Sequence, residues 1–307
     1  MNYKDFAKKE PRLAPGHGLC GGCSEPTIVK TVLGATDKPV IVANATGCLE
    51  VSTTIYPSSA WKVPWIHTAF ENVAATMSGV ETAYNSLKKQ GKINEEIKFV
   101  CFAGDGATYD IGLQSLSGAL ERGHDFLYVC LDNEAYMNTG NQRSGATPLC
   151  ANTTTAPVGK ALSGKTELKK DLMKIVVAHN IPYVAQASVG NWLDLANKAE
   201  KAFTFKGPKL LLVHSMCTTL WGFNSKSSVD IAKLALDTCM WPLYEVVNGE
   251  YKLTYRPKEK RPIADYLKTH DRFKHMFAPG NEALLQKEQD MVDKKWAEIL
   301  KLCGESP

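Results

Sequence analysis

The sequence predicts an α/β fold, a doubly wound parallel sheet followed by a helical C-terminal extension. Five short, nearly continuous apolar segments are typical of strands that are buried on both faces. Amphipathic stretches with helical spacing lie between most of them, and this strand–helix alternation indicates a parallel sheet. We expect residues 1–244 to form the sheet domain and residues 245–307 to form the extension.

The predicted elements follow in order along the chain. The strands are expected at residues 40–44, 99–103, 126–131, 183–187 and 210–214. Amphipathic helices are expected at residues 71–89, 113–122, 168–179 and 192–203, and a more polar helix is expected at residues 281–302. Residues 136–166 are rich in Thr, Gly, Asn and Ser, and we expect them to form a long functional loop.

The composition excludes several classes of function. The chain is 44% hydrophobic and 22% charged, and its net charge of +4 comes from scattered Lys and Arg residues, which does not suggest nucleic-acid binding. No apolar run approaches the roughly 20 residues that a membrane span needs. Residues 1–13 are polar and lack the apolar core of a signal peptide. We therefore expect a cytoplasmic chain without a nucleic-acid or membrane partner.

A glycine-flanked aspartate follows the second predicted strand. Gly104, Asp105 and Gly106 come directly after that strand, and Asn133 comes just after the next one. Because the carboxyl ends of parallel strands share one edge of a sheet, Asp105 and Asn133 are expected to lie close together. Glycines let the backbone approach a phosphate, and oxygen ligands beside a phosphate suit Mg²⁺. A Gly-Asp-Gly tripeptide alone is equally consistent with a tight turn.

Four of the nine cysteines lie in loops near predicted strand ends. Cys20 and Cys23 form a Cys-Gly-Gly-Cys motif in a glycine-rich loop, Cys48 follows the first strand, and Cys217 follows the last one. These loops can converge at one edge of the sheet, where four thiolates suit a [4Fe–4S] cluster. A zinc site with the same ligands, or a Cys-x-x-Cys redox pair, is the alternative.

The other five cysteines do not share this pattern. Cys101 and Cys130 lie inside apolar strands, and we expect them to be buried as small hydrophobic residues. Cys150, Cys239 and Cys303 have no partner pattern. Disulfides are not expected in a reducing compartment.

Ten segments together match a known family, and the similarity covers most of the chain. They are residues 13–17 (LAPGH), 20–23 (CGGC), 44–50 (NATGCLE), 65–72 (WIHTAFEN), 104–112 (GDGATYDIG), 133–140 (NEAYMNTG), 142–148 (QRSGATP), 153–155 (TTT), 157–160 (PVGK) and 261–267 (RPIADYL). Their combination resembles the β subunit of pyruvate:ferredoxin oxidoreductase, a member of the thiamine-diphosphate-dependent 2-oxoacid:ferredoxin oxidoreductases. The combination is far more specific than any single motif.

The resemblance implies which residues hold which cofactor. It implies a sheet of the thiamine-diphosphate-binding type that carries thiamine diphosphate, Mg²⁺ and one [4Fe–4S] cluster. The implied cluster ligands are Cys20, Cys23, Cys48 and Cys217, and the implied Mg²⁺ ligands are Asp105, Asn133 and the carbonyl of Ala135. The implied cofactor-binding residues are Glu25, Cys48, Gly104, Asp105, Gly106, Asn133, Asn138 and Thr139. Asn138 is also implied to be a catalytic amide on the substrate side.

The resemblance also implies a reaction and a set of partners. The reaction is oxidative decarboxylation of a small 2-oxoacid, pyruvate first, with electrons passed singly through the cluster to ferredoxin. In most of the family the acyl group passes to coenzyme A. Partner subunits of α and γ/δ type complete the active site and carry further clusters, and we expect residues 245–307 to serve in subunit docking.

Two departures from the family pattern keep other interpretations open. Gly18 replaces an Arg, and Cys217 lies in the run MCTTLWGF where the pyruvate enzymes commonly read PCPTGW. Oxalate or another small 2-oxoacid is therefore an alternative substrate. The alternatives of another class are a non-redox thiamine enzyme, which has no use for the four cysteines, and a zinc-binding interaction module, which leaves the Asp105–Asn133 spacing unexplained.

Overall fold

One eight-stranded sheet runs through the structure, a computed structural model that describes residues 2–306. Met1 and Pro307, the outermost residues of the two predicted domains, lie outside the described residues. The strand order is β2-β1-β3-β4-β6-β5-β7-β8, with β1 to β6 parallel and the last two antiparallel. The strands are β1 Val40–Ala45, β2 Trp65–Thr68, β3 Lys98–Gly104, β4 Leu127–Asp132, β5 Tyr183–Ser188, β6 Lys209–His214, β7 Tyr244–Val247 and β8 Glu250–Leu253.

Helices flank the sheet and confirm the predicted doubly wound α/β class. The described α-helices are α1 Tyr3–Ala7, α2 Glu25–Gly34, α3 Cys48–Thr53, α4 Val73–Lys89, α5 Leu113–Glu121, α6 Leu172–Val177, α7 Trp192–Ala202, α8 Thr218–Trp221, α9 Ser228–Asp237, α10 Ile263–Leu267 and α11 Glu282–Leu302. α4 packs on β1 and β3, and α7 packs on β5 and β6. Every residue of β4, β5 and β6 is buried, as expected for parallel strands that are covered on both faces.

The register of the sheet brings four strand ends to one edge. Gly104 at the end of β3 is paired with Leu131, and Asp132 at the end of β4 is paired with His214 at the end of β6. β1 also runs parallel to β3 and ends level with it. The loops that follow β1, β3, β4 and β6 therefore leave the sheet side by side. Most residues predicted to bind cofactors lie in these loops or at the ends of their strands, whereas Cys20, Cys23 and Glu25 precede β1.

The helix predicted at residues 168–179 was wrong in its length. α6 contains only Leu172–Val177. Lys169 and Lys170, which were expected to belong to the helix, instead form ion pairs with acidic side chains outside it. Lys169 lies 2.8 Å from an oxygen of Asp132, and Lys170 lies 2.6 Å from an oxygen of Asp110. Asp171 then caps α6 by accepting a hydrogen bond from the backbone of the first helical turn.

The predicted extension is joined to the sheet. The expected boundary after residue 244 falls inside β7, which pairs with β5 and carries β8 at its outer edge. α11 confirms the helix expected at residues 281–302 and packs against β8, α10 and a 3₁₀ helix at Asp271–Phe277. In the described part of the chain, no helix is both long and apolar enough to cross a membrane.

Candidate active site

The loop after β3 places Asp105 in a buried position at the carboxyl edge of the sheet. Its side chain is 1% exposed, and its Oδ2 accepts a hydrogen bond from Ser144 Oγ at 2.5 Å. Burial, followed by the nearby Asp132 carboxylate, raises the pKa of Asp105, while Ser144 and Lys169 oppose the rise. Gly106 has no room for a side chain, because a Cβ there would lie 2.3 Å from the Tyr136 ring.

Three oxygen-bearing groups meet beside Asp105. One end of the Asn133 amide, either its oxygen or its NH₂ group, lies 2.8 Å from Asp105 Oδ1 and 2.8 Å from the Ala135 carbonyl oxygen. Neighbouring ligands of an octahedral Mg²⁺ ion are about 2.9 Å apart, since each lies about 2.0–2.1 Å from the metal. The spacing therefore fits a small, hard cation. A rotated amide, with its NH₂ group donating to both oxygens, would satisfy the same contacts.

Glu25 lies between these oxygens and the cysteines. It is the first residue of α2, it is 3% exposed, and its Oε1 accepts a 3.4 Å hydrogen bond from the other end of the Asn133 amide. Its Oε2 is buried without a hydrogen-bond partner. Burial raises the pKa of Glu25 to about 7, and the Asn133 amide partly opposes this rise. A buried carboxylate oxygen without a partner is uncommon, and this one is available to accept a hydrogen bond from a bound group.

The four predicted cysteines converge beside Glu25. Cys20 is exposed, and Cys23, Cys48 and Cys217 are half-buried. Burial raises the pKa of the Cys23 thiol, and Glu25 and the thiols of Cys217 and Cys48 raise it further. Burial and Glu25 also raise the pKa of the Cys48 thiol, with Cys217 and Cys20 adding to the effect. All four sulfur atoms are thus within electrostatic reach of one another.

The four thiols match the ligand number of an iron–sulfur cluster. A [4Fe–4S] cluster takes one thiolate on each of its four irons. Among residues 2–306, no group of three His, Cys, Asp or Glu side chains is arranged to hold a single metal ion.

Hydrogen bonds hold the Cys20–Cys23 loop against the Cys217 segment. Ser24 Oγ accepts from the Met216 backbone nitrogen at 2.7 Å, and Thr218 Oγ1 donates to the Gly21 carbonyl at 3.0 Å. Gly22 adopts a positive φ of 79°, and a Cβ there would lie 2.6 Å from the Ser225 carbonyl oxygen. The protein itself therefore brings the two cysteine segments together.

The remaining predicted residues lie around this centre. Gly104 ends β3 and has open space where a Cβ would stand, so a ligand can approach its backbone closely. Asn138 and Thr139 lie in an exposed turn after the Asn133 loop, where Thr139 Oγ1 donates to Gln142 Oε1 at 2.5 Å. Their exposure leaves this turn open to a partner or a substrate.

Sequence reasoning missed the residues that hold the Asn133 loop in place. Glu134 is 1% exposed and forms a 2.6 Å ion pair with Arg272 and a 3.2 Å ion pair with Lys169. Trp221 donates from Nε1 to the Asn133 carbonyl at 2.9 Å. Glu134 and Trp221 lie within segments that the sequence analysis singled out, whereas Arg272 reaches the site from a distant part of the chain.

Comparison with known proteins identifies the family. Residues 45–213 match a family model described as the C-terminal TPP-binding domain of thiamine pyrophosphate enzymes. The chain is 53% identical over 306 residues to pyruvate synthase subunit PorB of Thermotoga maritima, and the match covers 97% of this chain and 94% of that protein. The chain belongs to the pyruvate synthase PorB family.

Other relatives extend the comparison to neighbouring enzymes. PorB of Methanocaldococcus jannaschii is 47% identical, with 94% of this chain and 96% of that protein covered. Ketoisovalerate oxidoreductase subunit VorB of Pyrococcus abyssi is 41% identical, with coverages of 95% and 94%. This PorB-family chain is therefore a subunit of a 2-oxoacid:ferredoxin oxidoreductase with a thiamine-diphosphate-binding domain, as the sequence predicted.

A solved structure supports the fold. The 2-oxoglutarate:ferredoxin oxidoreductase of Magnetococcus marinus superposes with a TM-score of 0.56 at 21% sequence identity. The superposition covers 72% of this chain and 69% of that chain. At this identity the likeness concerns the fold alone, and it agrees with the predicted thiamine-diphosphate-binding type of sheet.

Proposed function

We propose that this chain is the subunit of a pyruvate:ferredoxin oxidoreductase that binds thiamine diphosphate with Mg²⁺ and carries one [4Fe–4S] cluster. The observation that carries the proposal is the meeting of two donor sets at one edge of the sheet. Oxygens of Asp105, Asn133 and Ala135 form the first set, four cysteine thiols form the second, and Glu25 lies between them. Relatives named pyruvate synthase support pyruvate as the substrate.

The oxygen set is proposed to bind Mg²⁺ and, through it, the diphosphate. Asp105 and Asn133 contribute side-chain oxygens, and Ala135 contributes its carbonyl. The open backbone at Gly104 would let the diphosphate approach this edge. When bound, thiamine diphosphate supplies the electron sink for the loss of CO₂ from a 2-oxoacid. The protein holds the charges that fix its position.

The thiol set is proposed to bind the cluster. Cys23, Cys48 and Cys217 lie within electrostatic reach of Glu25, and Cys20 lies within reach of Cys48 and Cys217. A cluster would supply a one-electron acceptor at this place. A cluster next to the cofactor suits single-electron transfer to ferredoxin. A non-redox thiamine enzyme would have no need for these thiols.

The exposed turn and the C-terminal extension are proposed to face partners. Asn138 and Thr139 would meet the substrate where a partner subunit closes over the turn, with Asn138 as the catalytic amide. Residues 245–307 would dock α- and γ/δ-type subunits, with ferredoxin as the final acceptor and coenzyme A as the acyl acceptor. The 2-oxoglutarate enzyme was solved with coenzyme A bound, which supports the last assignment.

Metal and cofactor analysis tests the proposal. The complex would be purified anaerobically and assayed for iron, acid-labile sulfide, zinc and thiamine. We expect about four irons and four sulfides for this subunit. Cys48→Ser is expected to lose them, whereas Cys303→Ser, a half-buried cysteine outside the site, is expected to retain them. Zinc without thiamine would indicate a binding module, and thiamine without iron would indicate a non-redox enzyme.

Substrate screening then identifies the 2-oxoacid. Reduction of a viologen dye would be followed with pyruvate, 2-oxoisovalerate, 2-oxoglutarate and oxalate, each with and without coenzyme A. We expect pyruvate with coenzyme A to be the best substrate. Oxidation of oxalate with pyruvate inert would contradict the pyruvate assignment and would leave the cofactor assignments standing.

A further inference from the structure

Arg272 connects the loop that carries Asn133 with the segment that carries Cys217. Its Nη2 donates to Glu134 Oε2 at 2.6 Å, and its guanidinium carbon lies 3.8 Å above the Trp221 ring. We propose that Arg272, which comes from the C-terminal extension, is a positioning residue. It fixes the position of the oxygen set relative to the thiol set. The inference rests on the proposed function, because it concerns the cofactors of the same site.

Glu134 needs this support because of its backbone conformation. It follows Asn133 directly and adopts a φ of 67°, in a region that residues with a side chain rarely occupy. Such a conformation persists only where neighbours fix it. Arg272 and Lys169 pair with its carboxylate, and the Thr147 hydroxyl donates to its carbonyl at 2.6 Å. Removing the strongest of these contacts should let the Asn133–Ala135 turn relax.

Trp221 joins Arg272 and the Asn133 loop to the segment that carries Cys217. It is the last residue of α8, the short helix that starts directly after Cys217, and it is fully buried. Its indole nitrogen donates to the Asn133 carbonyl at 2.9 Å, while its ring supports the Arg272 guanidinium. A shift of Arg272 would therefore move both the Asn133 loop of the oxygen set and the segment that carries Cys217.

Among the described residues, the other two basic side chains beside Glu134, Lys169 and His214, cannot take over this role. Lys169 also pairs with Asp132 at 2.8 Å, so its charge is shared between two carboxylates. His214 lies 3.9 Å from Glu134, but burial lowers its pKa to about 3, so it stays neutral. Lysine cannot replace Arg272, because it lacks the planar fork that bonds a carboxylate while stacking on an indole.

Arg272→Lys in the assembled enzyme tests the inference. The affinity for thiamine diphosphate at fixed Mg²⁺ would be measured by calorimetry, and the reduced cluster by its electron paramagnetic resonance signal and midpoint potential. We expect a loss of about 10–100-fold in cofactor affinity together with an altered cluster signal, as for other residues that orient metal ligands. Arg261→Lys, which changes an exposed pair with Asp265, serves as the matched control and should match the wild type.

Trp221→Phe keeps the test decisive if the first variant does not assemble. Phenylalanine retains a ring beneath Arg272 but removes the N–H that bonds the Asn133 carbonyl, so both readouts should change again. A lower melting temperature with unchanged cofactor affinity and cluster signal would overturn the inference. If the wild type bound neither thiamine nor iron, the proposed function would fail instead, so the two failures are distinguishable.

Discussion

Ser144 provides the hydrogen bond that orients the Asp105 carboxylate. Its hydroxyl donates to Asp105 Oδ2 at 2.5 Å, which leaves Oδ1 facing Asn133. We predict that Ser144→Ala weakens Mg²⁺-dependent thiamine binding by about tenfold, the lower range for such an orienting partner. A magnesium titration of activity measures this, with Ser86→Ala on the exposed face of α4 as the control. An unchanged magnesium requirement would contradict the assigned role of Ser144.

Gly104 and Gly106 are predicted to respond differently to an added methyl group. At Gly106 the methyl would lie 2.3 Å from the Tyr136 ring, so Gly106→Ala should destabilise the protein by about 1–3 kcal/mol. At Gly104 nothing in the chain obstructs it, so Gly104→Ala should fold normally and bind thiamine diphosphate more weakly. Thermal unfolding and cofactor titration separate the two effects. Equal stability of both variants would contradict the prediction, because it would show that the Tyr136 ring moves aside at little cost in free energy.

The sequence could indicate the cofactor residues but not their supports. Asp105, Asn133 and Cys217 follow strands that are recognisable as apolar runs, so their meeting at one edge follows from parallel topology. Ser144 and Arg272 reach the site from a polar loop and from the C-terminal extension. No local pattern marks a serine or an arginine that acts across such distances, because the contact exists only in the folded chain.

At the scale of elements, burial determined which predictions succeeded. β4 and β6 are buried along their whole length, and their apolar runs identified them. β2 is half-exposed, and β8 alternates exposed and half-buried residues, so neither gave a continuous apolar run. β7 was assigned to the tail because its partner, β5, is remote in sequence.

α11 contains a buried carboxyl group that makes stability depend on pH. Burial, followed by the charge of Glu134, raises the pKa of Glu288 from 4.5 to about 8, while Lys287 opposes the rise. Glu288 Oε1 has no hydrogen-bond partner and lines a cavity of about 380 Å³ beneath α11. Because the unfolded chain ionises this group first, the unfolded state gains stability as the pH rises above 4.5.

The expected result is a sloping stability profile that one substitution removes. Between pH 4.5 and about 8 the free energy of unfolding should fall by about 1.4 kcal/mol per pH unit from this group, and the effect should end above the folded pKa. Glu288→Gln should flatten that part of the profile. Thermal unfolding at several pH values measures it, with the exposed Glu121→Gln as the control. An identical slope in Glu288→Gln would show that other groups set the pH dependence.

At the scale of the whole molecule, cofactor binding and stability are linked. Asp105 and Glu25 are buried, and three half-buried thiols lie within electrostatic reach of Glu25. Lys169 acts on Asp105, and Arg272 acts on Cys217. Mg²⁺ would add positive charge here, and any ligand that binds only the folded chain stabilises it. Thiamine diphosphate with Mg²⁺ at about 100 times its Kd should raise the free energy of unfolding by about 2.7 kcal/mol. Differential scanning calorimetry measures this, and equal protection by Mg²⁺ alone would contradict a shared diphosphate site.

The bond between Ser24 and Met216 spans 192 positions of the chain. During synthesis, Cys20 and Cys23 leave the ribosome long before Cys217 exists, so the first pair of thiols must wait for most of the protein to be made. The proposed four-thiolate cluster would require all four cysteines, so we expect its insertion to follow the incorporation of β6 into the sheet. A chain truncated before Cys217 would contain only three of the four proposed ligands.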